Sequence, residues 1–199
     1  PEQVIDWQLV GALNCLLSDF SILTGGPGTG KTTTLSKLLK IFYAVEPNVD
    51  VRLAAPTGKA ATRMLETLGR SVQHEPEDLR NKIASLQATT IHRLLGGRAG
   101  EMSFKYNSSN KLTADLIVVD EASMVDIPMM ARLLDALAPD TRLILLGDRN
   151  QLASVEAGSL LGDLCGAVGT LNRFTSEHAA WLNGFLSEEV RRIPSQLDR

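Results

Sequence analysis

Apolar residues follow two rhythms along the chain. Four short apolar runs, Ser21 to Leu23, Val51 to Ala55, Leu116 to Val119 and Arg142 to Leu146, have the length and continuity of strands buried on both faces. Between them apolar positions recur every three or four residues over Thr33 to Tyr43, Lys59 to Leu68, Glu77 to Leu86 and Pro128 to Leu137, which predicts helices. Leu35, Leu38, Leu39 and Phe42 form the stripe of the first of these. An amphipathic stretch from Glu2 to Leu17 predicts one more helix ahead of the first strand. Strands alternating with helices predict an α/β fold, doubly wound, with a mainly parallel sheet and helices on both faces. Such sheets bind ligands at the C-terminal ends of their strands. Gly96 to Leu112, rich in Gly, Asn and Ser, reads as an exposed loop or small hairpin, and the residues after Gly169 show no clear period. The expected division is an N-terminal helix over 1–18, one nucleotide-binding domain over 19–168 with an insertion near 96–112, and a truncated C-terminal segment over 169–199.

Composition narrows the class. A chain of 199 residues with 44% hydrophobic content can bury one α/β core but not two full domains. No apolar run approaches the length of a membrane span, and Pro1-Glu2-Gln3 has neither part of a signal peptide, so a cytoplasmic protein with no membrane contact is expected. The start without Met and the end at Asp198-Arg199 suggest a piece of a longer chain. Cys15 and Cys165 stand alone and read as small buried side chains. Net charge is -3, yet Arg52 to Leu112 holds ten Lys or Arg against five Asp or Glu. Positive charge is thus concentrated in the middle of the chain, either as a solvated face or as an anion-binding surface.

Thr24-Gly25-Gly26-Pro27-Gly28-Thr29-Gly30-Lys31-Thr32 joins the first strand to the first crossover helix, and Gly25, Gly30, Lys31 and Thr32 fit the phosphate-loop pattern G-x-x-x-x-G-K-[ST]. The plain alternative is a glycine-rich turn with no ligand, and the strand before and helix after argue against it. Glycines let backbone N–H groups wrap phosphate oxygens, and the helix N-terminus adds partial positive charge. Contacts to a nucleoside triphosphate are expected from Gly26-Pro27-Gly28-Thr29-Gly30-Lys31-Thr32-Thr33. Lys31 should reach the β and γ phosphates as a catalytic point charge, and the Thr32 hydroxyl should take one position on Mg²⁺.

Leu116-Ile117-Val118-Val119-Asp120-Glu121 is an apolar strand ending in two acids. Acids can merely cap a turn there, but downstream of a phosphate loop they read as a Walker B pair. Asp120 would hold Mg²⁺ through its water shell, and Glu121 would orient and deprotonate the attacking water. Gly147-Asp148-Arg149-Asn150-Gln151 leaves the fourth strand onto the same sheet edge, where Gly-Asp alone could be only a turn.

Five segments now stand in order: Gly25 to Thr32, Ala54-Ala55-Pro56-Thr57-Gly58-Lys59-Ala60-Ala61, Thr89-Thr90-Ile91-His92-Arg93-Leu94-Leu95-Gly96, Val119-Asp120-Glu121-Ala122-Ser123-Met124, and Gly147 to Gly158. They resemble motifs I, Ia, Ib, II and III of superfamily 1 helicases, and over roughly Asp6 to Cys165 the chain is similar to the RecD family, the alpha subunit of exodeoxyribonuclease V. That resemblance implies a RecA-like P-loop NTPase fold that uses ATP and Mg²⁺. It also implies a DNA helicase motor that translocates 5′ to 3′ on single-stranded DNA, with beta and gamma subunits as partners in double-strand break repair. Carried onto this chain, Gln8 resembles the adenine-reading Gln before motif I, and Gln151 the catalytic γ-phosphate sensor of motif III. Gln8 can equally be an ordinary exposed helix residue. Pro56, Thr57 and Lys59, with Thr90, His92 and Arg93, resemble the segments that meet the DNA strand, and they lie within the basic stretch. Phe104 and Tyr106 are read as base-stacking or hairpin-packing residues, and Met124, Met129 and Met130 as core filler.

The family closes two α/β domains over ATP with an arginine from beyond motif III, and nothing here matches the later motifs. Arg191-Arg192 reads as a solvated helix end. The resulting expectation is a first motor domain that binds nucleotide, hydrolyses it very slowly and unwinds nothing by itself. No acid cluster beyond the Mg²⁺ pair suggests nuclease chemistry. The competing readings are an AAA-type ATPase or small-molecule kinase, a nucleotide-gated docking subunit, and a related motor acting on RNA or fused to a relaxase.

Overall fold

The computed structural model describes residues 5–26, 28–98, 103–151, 160–167, 172–186 and 193. Its strands are β1 (Phe20–Thr24), β2 (Val51–Ala55), β3 (Ala88–Thr90), β4 (Leu116–Val119) and β5 (Arg142–Gly147). They pair in parallel throughout, in the order β1-β5-β4-β2-β3. The helices are α1 (Trp7–Leu17), α2 (Lys31–Val45), α3 (Gly58–Ser71), α4 (Glu77–Ser85), α5 (Ile91–Leu94), α6 (Ile127–Ala136), α7 (Leu160–Ala167) and α8 (Ser176–Phe185).

Strand alternation divides the core. Leu53, Ala55, Leu116, Val118, Ile144 and Leu146 join one buried cluster, and their chain neighbours Ala54, Ile117, Val119, Leu143 and Leu145 join another. Successive side chains of a strand point to opposite faces, so a sheet covered on both sides needs these unbroken apolar runs. On the first face α2 and α3 supply Leu35, Leu38, Leu39, Phe42, Met64 and Leu68. On the second, α6 supplies Met130, Leu133 and Ala136. Each fully buried Leu contributes about 1.5–3 kcal/mol of transfer free energy. A third cluster joins Val10 and Leu13 of α1 to Phe174, Ala179 and Leu182 around α8.

Several expectations shift. The N-terminal helix starts at Trp7, because the Asp6 carboxylate accepts from the Gln8 and Leu9 amides and caps it there; residues 2–4 lie outside the described residues. The glycine loop hands over to α2 at Lys31, two residues earlier than Thr33. A fifth strand, β3, is added at the sheet edge. Ala88-Thr89-Thr90 has no apolar run to announce it, and it forms by pairing with Leu53 to Ala55 of β2. In the insertion, Asn107 and Asn110 form a single antiparallel bridge. Phe104 and Tyr106 pack against the second core cluster, which favours the hairpin-packing reading. Met130 is buried and Met129 partly so, but Met124 is 47% exposed and does not fill the core. Cys15 and Cys165 are buried and free, and burial pushes the Cys15 thiol up to about 11. No helix among the described residues is long and apolar enough to cross a membrane.

Candidate functional site

Strand order builds the site. Because β1, β5 and β4 are neighbours, the segments leaving their C-terminal ends emerge side by side. These are the glycine loop after β1, Asp120 to Met124 after β4, and Asp148 to Gln151 after β5. Lys31, Thr32, Asp120, Glu121 and Gln151 line one cavity of about 650 Å³, together with Gly28, Thr29, Gly30 and Thr33. That volume suits a small-molecule ligand.

Backbone bonds fix the loop to its neighbours. The Gly25 N–H donates to the Gly147 carbonyl at 3.1 Å, and the Arg149 N–H donates to Thr24 Oγ1 at 3.1 Å. Gly28 and Gly30 have φ of 75° and 87°, a left-handed region that favours glycine. A Cβ on Gly30 would overlap the Gln8 amide nitrogen. Lys31 Nζ donates to the Gly25 carbonyl at 2.6 Å and the Gly26 carbonyl at 3.0 Å, which draws the ammonium into the loop. Thr29 Oγ1 donates to the Gly26 carbonyl at 2.8 Å.

The acids face this cradle. The Asp120 N–H donates to the Ala54 carbonyl, which ties β4 to β2 at the strand tip. The Glu121 N–H donates to Asp120 Oδ1 at 2.8 Å. Burial pushes the Asp120 carboxyl up, and the Glu121 amide and the charges of Lys31 and Arg63 oppose that rise. Ser123 Oγ donates to Gln151 Oε1 at 3.0 Å, joining the segments after β4 and β5. The oxygen chemistry of Thr32 and Asp120 fits Mg²⁺, and among the described residues no group of three His, Cys, Asp or Glu offers a full protein cage. Mg²⁺ suits such a partial shell, since it keeps water and phosphate ligands.

Other expected residues lie apart. Gln8 lines an adjoining cavity of about 460 Å³ with Trp7, Asn14, Thr29 and Lys31. Gly26 enters through its carbonyl and does not line the larger cavity. Pro27, the part of motif III from 152 to 158, and Arg191-Arg192 lie outside the described residues. Pro56, Thr57 and Lys59 follow β2, and His92 and Arg93 follow β3, whose Thr90 pairs with Ala55. These two segments therefore emerge beside each other on the same sheet edge as the cavity. Thr57 and Thr90 spend their hydroxyls capping α3 and α5, while Lys59, His92 and Arg93 are exposed. The His92 ring also contacts that of Phe104, with centroids 5.8 Å apart and planes inclined at 56°.

Arg63, Thr67 and Asp148 also line the larger cavity, and Ser123 lies beside it; the sequence motifs give none of the four a role in the site. A signal existed for two of them: Ala60, Arg63, Met64 and Thr67 stand at helical i, i+3, i+4 and i+7 after Lys59, one face of α3.

An AAA domain family model matches residues 10–157. The chain is 46% identical over 188 residues to RecBCD enzyme subunit RecD of Haemophilus influenzae, covering 91% of this chain and 29% of that protein. It is 47% identical over 169 residues to the RecD subunit of Mycolicibacterium smegmatis, covering 82% and 30%. The ATP-dependent RecD2 DNA helicase of Deinococcus radiodurans is 40% identical over 150 residues, 75% of this chain and 18% of that protein. Thus the chain spans less than a third of the length of these curated relatives. The solved structure of T4 UvsW matches with a TM-score of 0.52 at 14% identity, over 76% of this chain and 31% of that one, a likeness of fold.

Proposed function

This chain belongs to the AAA domain family and, within it, to the RecD helicases, and from that membership we propose that it is an ATP-driven motor domain that works on single-stranded DNA. The observation that carries the reading is the convergence of the segments after β1, β4 and β5 on one cavity. Amides from Gly28 to Thr33 and the Lys31 ammonium bind the phosphates, with the ammonium exchanging its two carbonyl partners for phosphate oxygens. Thr32 and Asp120 hold Mg²⁺, which neutralises charge on the phosphates when bound. Glu121 orients the attacking water and takes its proton, and Gln151 bonds the terminal phosphate. Gln8, packed on Gly30, reads the adenine from the adjoining cavity.

Lys59, His92 and Arg93, with Pro56, Thr57 and Thr90, form the strand track beside this site. The local basic excess favours a phosphodiester backbone there. Translocation, unwinding and partnership with the beta and gamma subunits of exodeoxyribonuclease V in the cytoplasm are proposed for a protein of the relatives' full length. The 199-residue chain alone is expected to bind nucleotide and hydrolyse it very slowly. Titrating the full-length protein's ATPase with single-stranded DNA and RNA oligonucleotides tests the reading. DNA should raise the rate severalfold and RNA should not; a rate indifferent to DNA would point instead to a small-molecule kinase or an unrelated AAA-type ATPase.

A further inference from the structure

Among the described residues Arg63 is the only arginine lining the larger cavity. Resting on the nucleotide-site reading above, we propose that Arg63 is a further catalytic residue, a guanidinium supplied from within the same domain that binds the terminal phosphate of the nucleoside triphosphate.

Its placement follows from the sheet. β2 lies beside β4, so α3, which starts at Gly58 just past β2, begins beside the segment that carries Asp120. Thr57 Oγ1 accepts from the Ala60 N–H and fixes the helix start. Ala60 and Met64 are buried in the first core cluster, which sets the rotation of α3 about its axis. With that rotation fixed, Arg63 and Thr67 reach the cavity together.

Charge and chemistry then select the ligand. Among the described residues no acid lies within ion-pair distance of Arg63, while the neighbouring Arg70 is paired with Glu66 at 3.9 Å. Arg63 therefore presents a cation with no ion-pair partner among the described residues, on a cavity whose other described cation, Lys31, is drawn into the glycine loop. A planar guanidinium fits phosphate oxygens in a two-pronged way that an ammonium does not. Lys31 approaches the phosphates from the loop side, next to Gly25 and Gly26. Arg63 acts from the Asp120 side, because α3 starts just past β2, β2 lies beside β4, and both residues line the same cavity. Thr32 and Asp120 would hold the metal, which would supply positive charge to the phosphates; with Lys31 on the loop side, a cation on the Asp120 side would meet the terminal phosphate. Arg63 thus distinguishes triphosphate from diphosphate. The same helix begins at Gly58 and Lys59, so one rigid element links the γ-phosphate to the proposed strand track.

The test is calorimetric binding of AMP-PNP and of ADP, each with Mg²⁺, to the 199-residue chain as wild type, Arg63→Ala, Arg63→Lys and Lys31→Ala. Arg63 is exposed, so its variants should keep the wild-type circular dichroism spectrum. Arg63→Ala should weaken AMP-PNP by about 10- to 100-fold, the range of a charge-assisted contact, and leave ADP within about twofold. Arg63→Lys should recover part of the loss, because one point charge replaces a fork. The proposal is overturned if Arg63→Ala weakens both nucleotides alike, changes neither, or lowers only the binding of a single-stranded oligonucleotide. Lys31→Ala separates the two levels of the claim: it should lose both nucleotides. A wild-type chain that binds neither would bring down the site reading, and Arg63 with it. Normal behaviour of wild type and Lys31→Ala beside an unaffected Arg63→Ala would bring down the Arg63 assignment alone.

Discussion

Glu121 has φ 51° and ψ 37°, a left-handed conformation that costs a residue bearing a Cβ about 1–2 kcal/mol. Its geometry has a use. Two consecutive residues continuing a strand would point to opposite faces, yet Asp120 and Glu121 both line the cavity. The kink at Glu121 brings the second acid round to the side of the first, and the bonds from the Glu121 N–H to Asp120 Oδ1 and from the Met124 N–H to the Glu121 carbonyl hold it there. Strain kept at a site in this way supports the role proposed for Glu121. Glu121→Gln should keep nucleotide affinity and lower turnover of the full-length protein by about 10²- to 10⁴-fold. Undiminished hydrolysis would remove Glu121 from its role.

At the scale of elements, two strand ends are joined by one side-chain bond. Ser123 Oγ donates to Gln151 Oε1, which leaves the amide nitrogen of Gln151 as the group able to donate to an anion. Ser123 is largely buried, so the contact is shielded from competing water. Replacing it with Ala removes a bond worth about 1 kcal/mol, and the full-length protein should lose roughly fivefold in turnover while ADP affinity stays constant. Ser123→Thr, which keeps the hydroxyl, should restore the rate; equal loss in both variants would mean that packing, not the bond, matters. The strands that bear these residues were legible because each is a buried apolar run. β3 was not, since Ala88-Thr89-Thr90 becomes a strand only by pairing with β2. The apolar spacing likewise carries the N-terminal helix back through Asp6, whereas the Asp6 carboxylate caps it so that it starts at Trp7.

For the molecule as a whole, one physical fact organises everything else: a parallel sheet gathers at one edge segments that are far apart in sequence. That Lys31, Thr32, Asp120 and Glu121 line one cavity is expected from the chain, because the proposed phosphate and magnesium chemistry calls for those residue types at those spacings. For Arg63 the spacing shows only that it shares a helix face with Ala60, Met64 and Thr67, and for Ser123 it shows nothing, because their places depend on the rotation of α3 and on which strands are neighbours. Charge shows the same division. The basic excess over Arg52 to Leu112 is visible in sequence, whereas the emergence of His92 and Arg93 beside Thr57 and Lys59 follows from the pairing of β3 with β2. The most direct measurement of the central claim is a crystal structure of this chain grown with Mg²⁺ and AMP-PNP. The phosphates should lie on the amides of Gly28 to Thr33, with the metal about 2 Å from Thr32 Oγ1 and with Asp120, Glu121 and Gln151 around the γ end. An analogue seated elsewhere, or both carboxylates turned away from the glycine loop, would contradict the account.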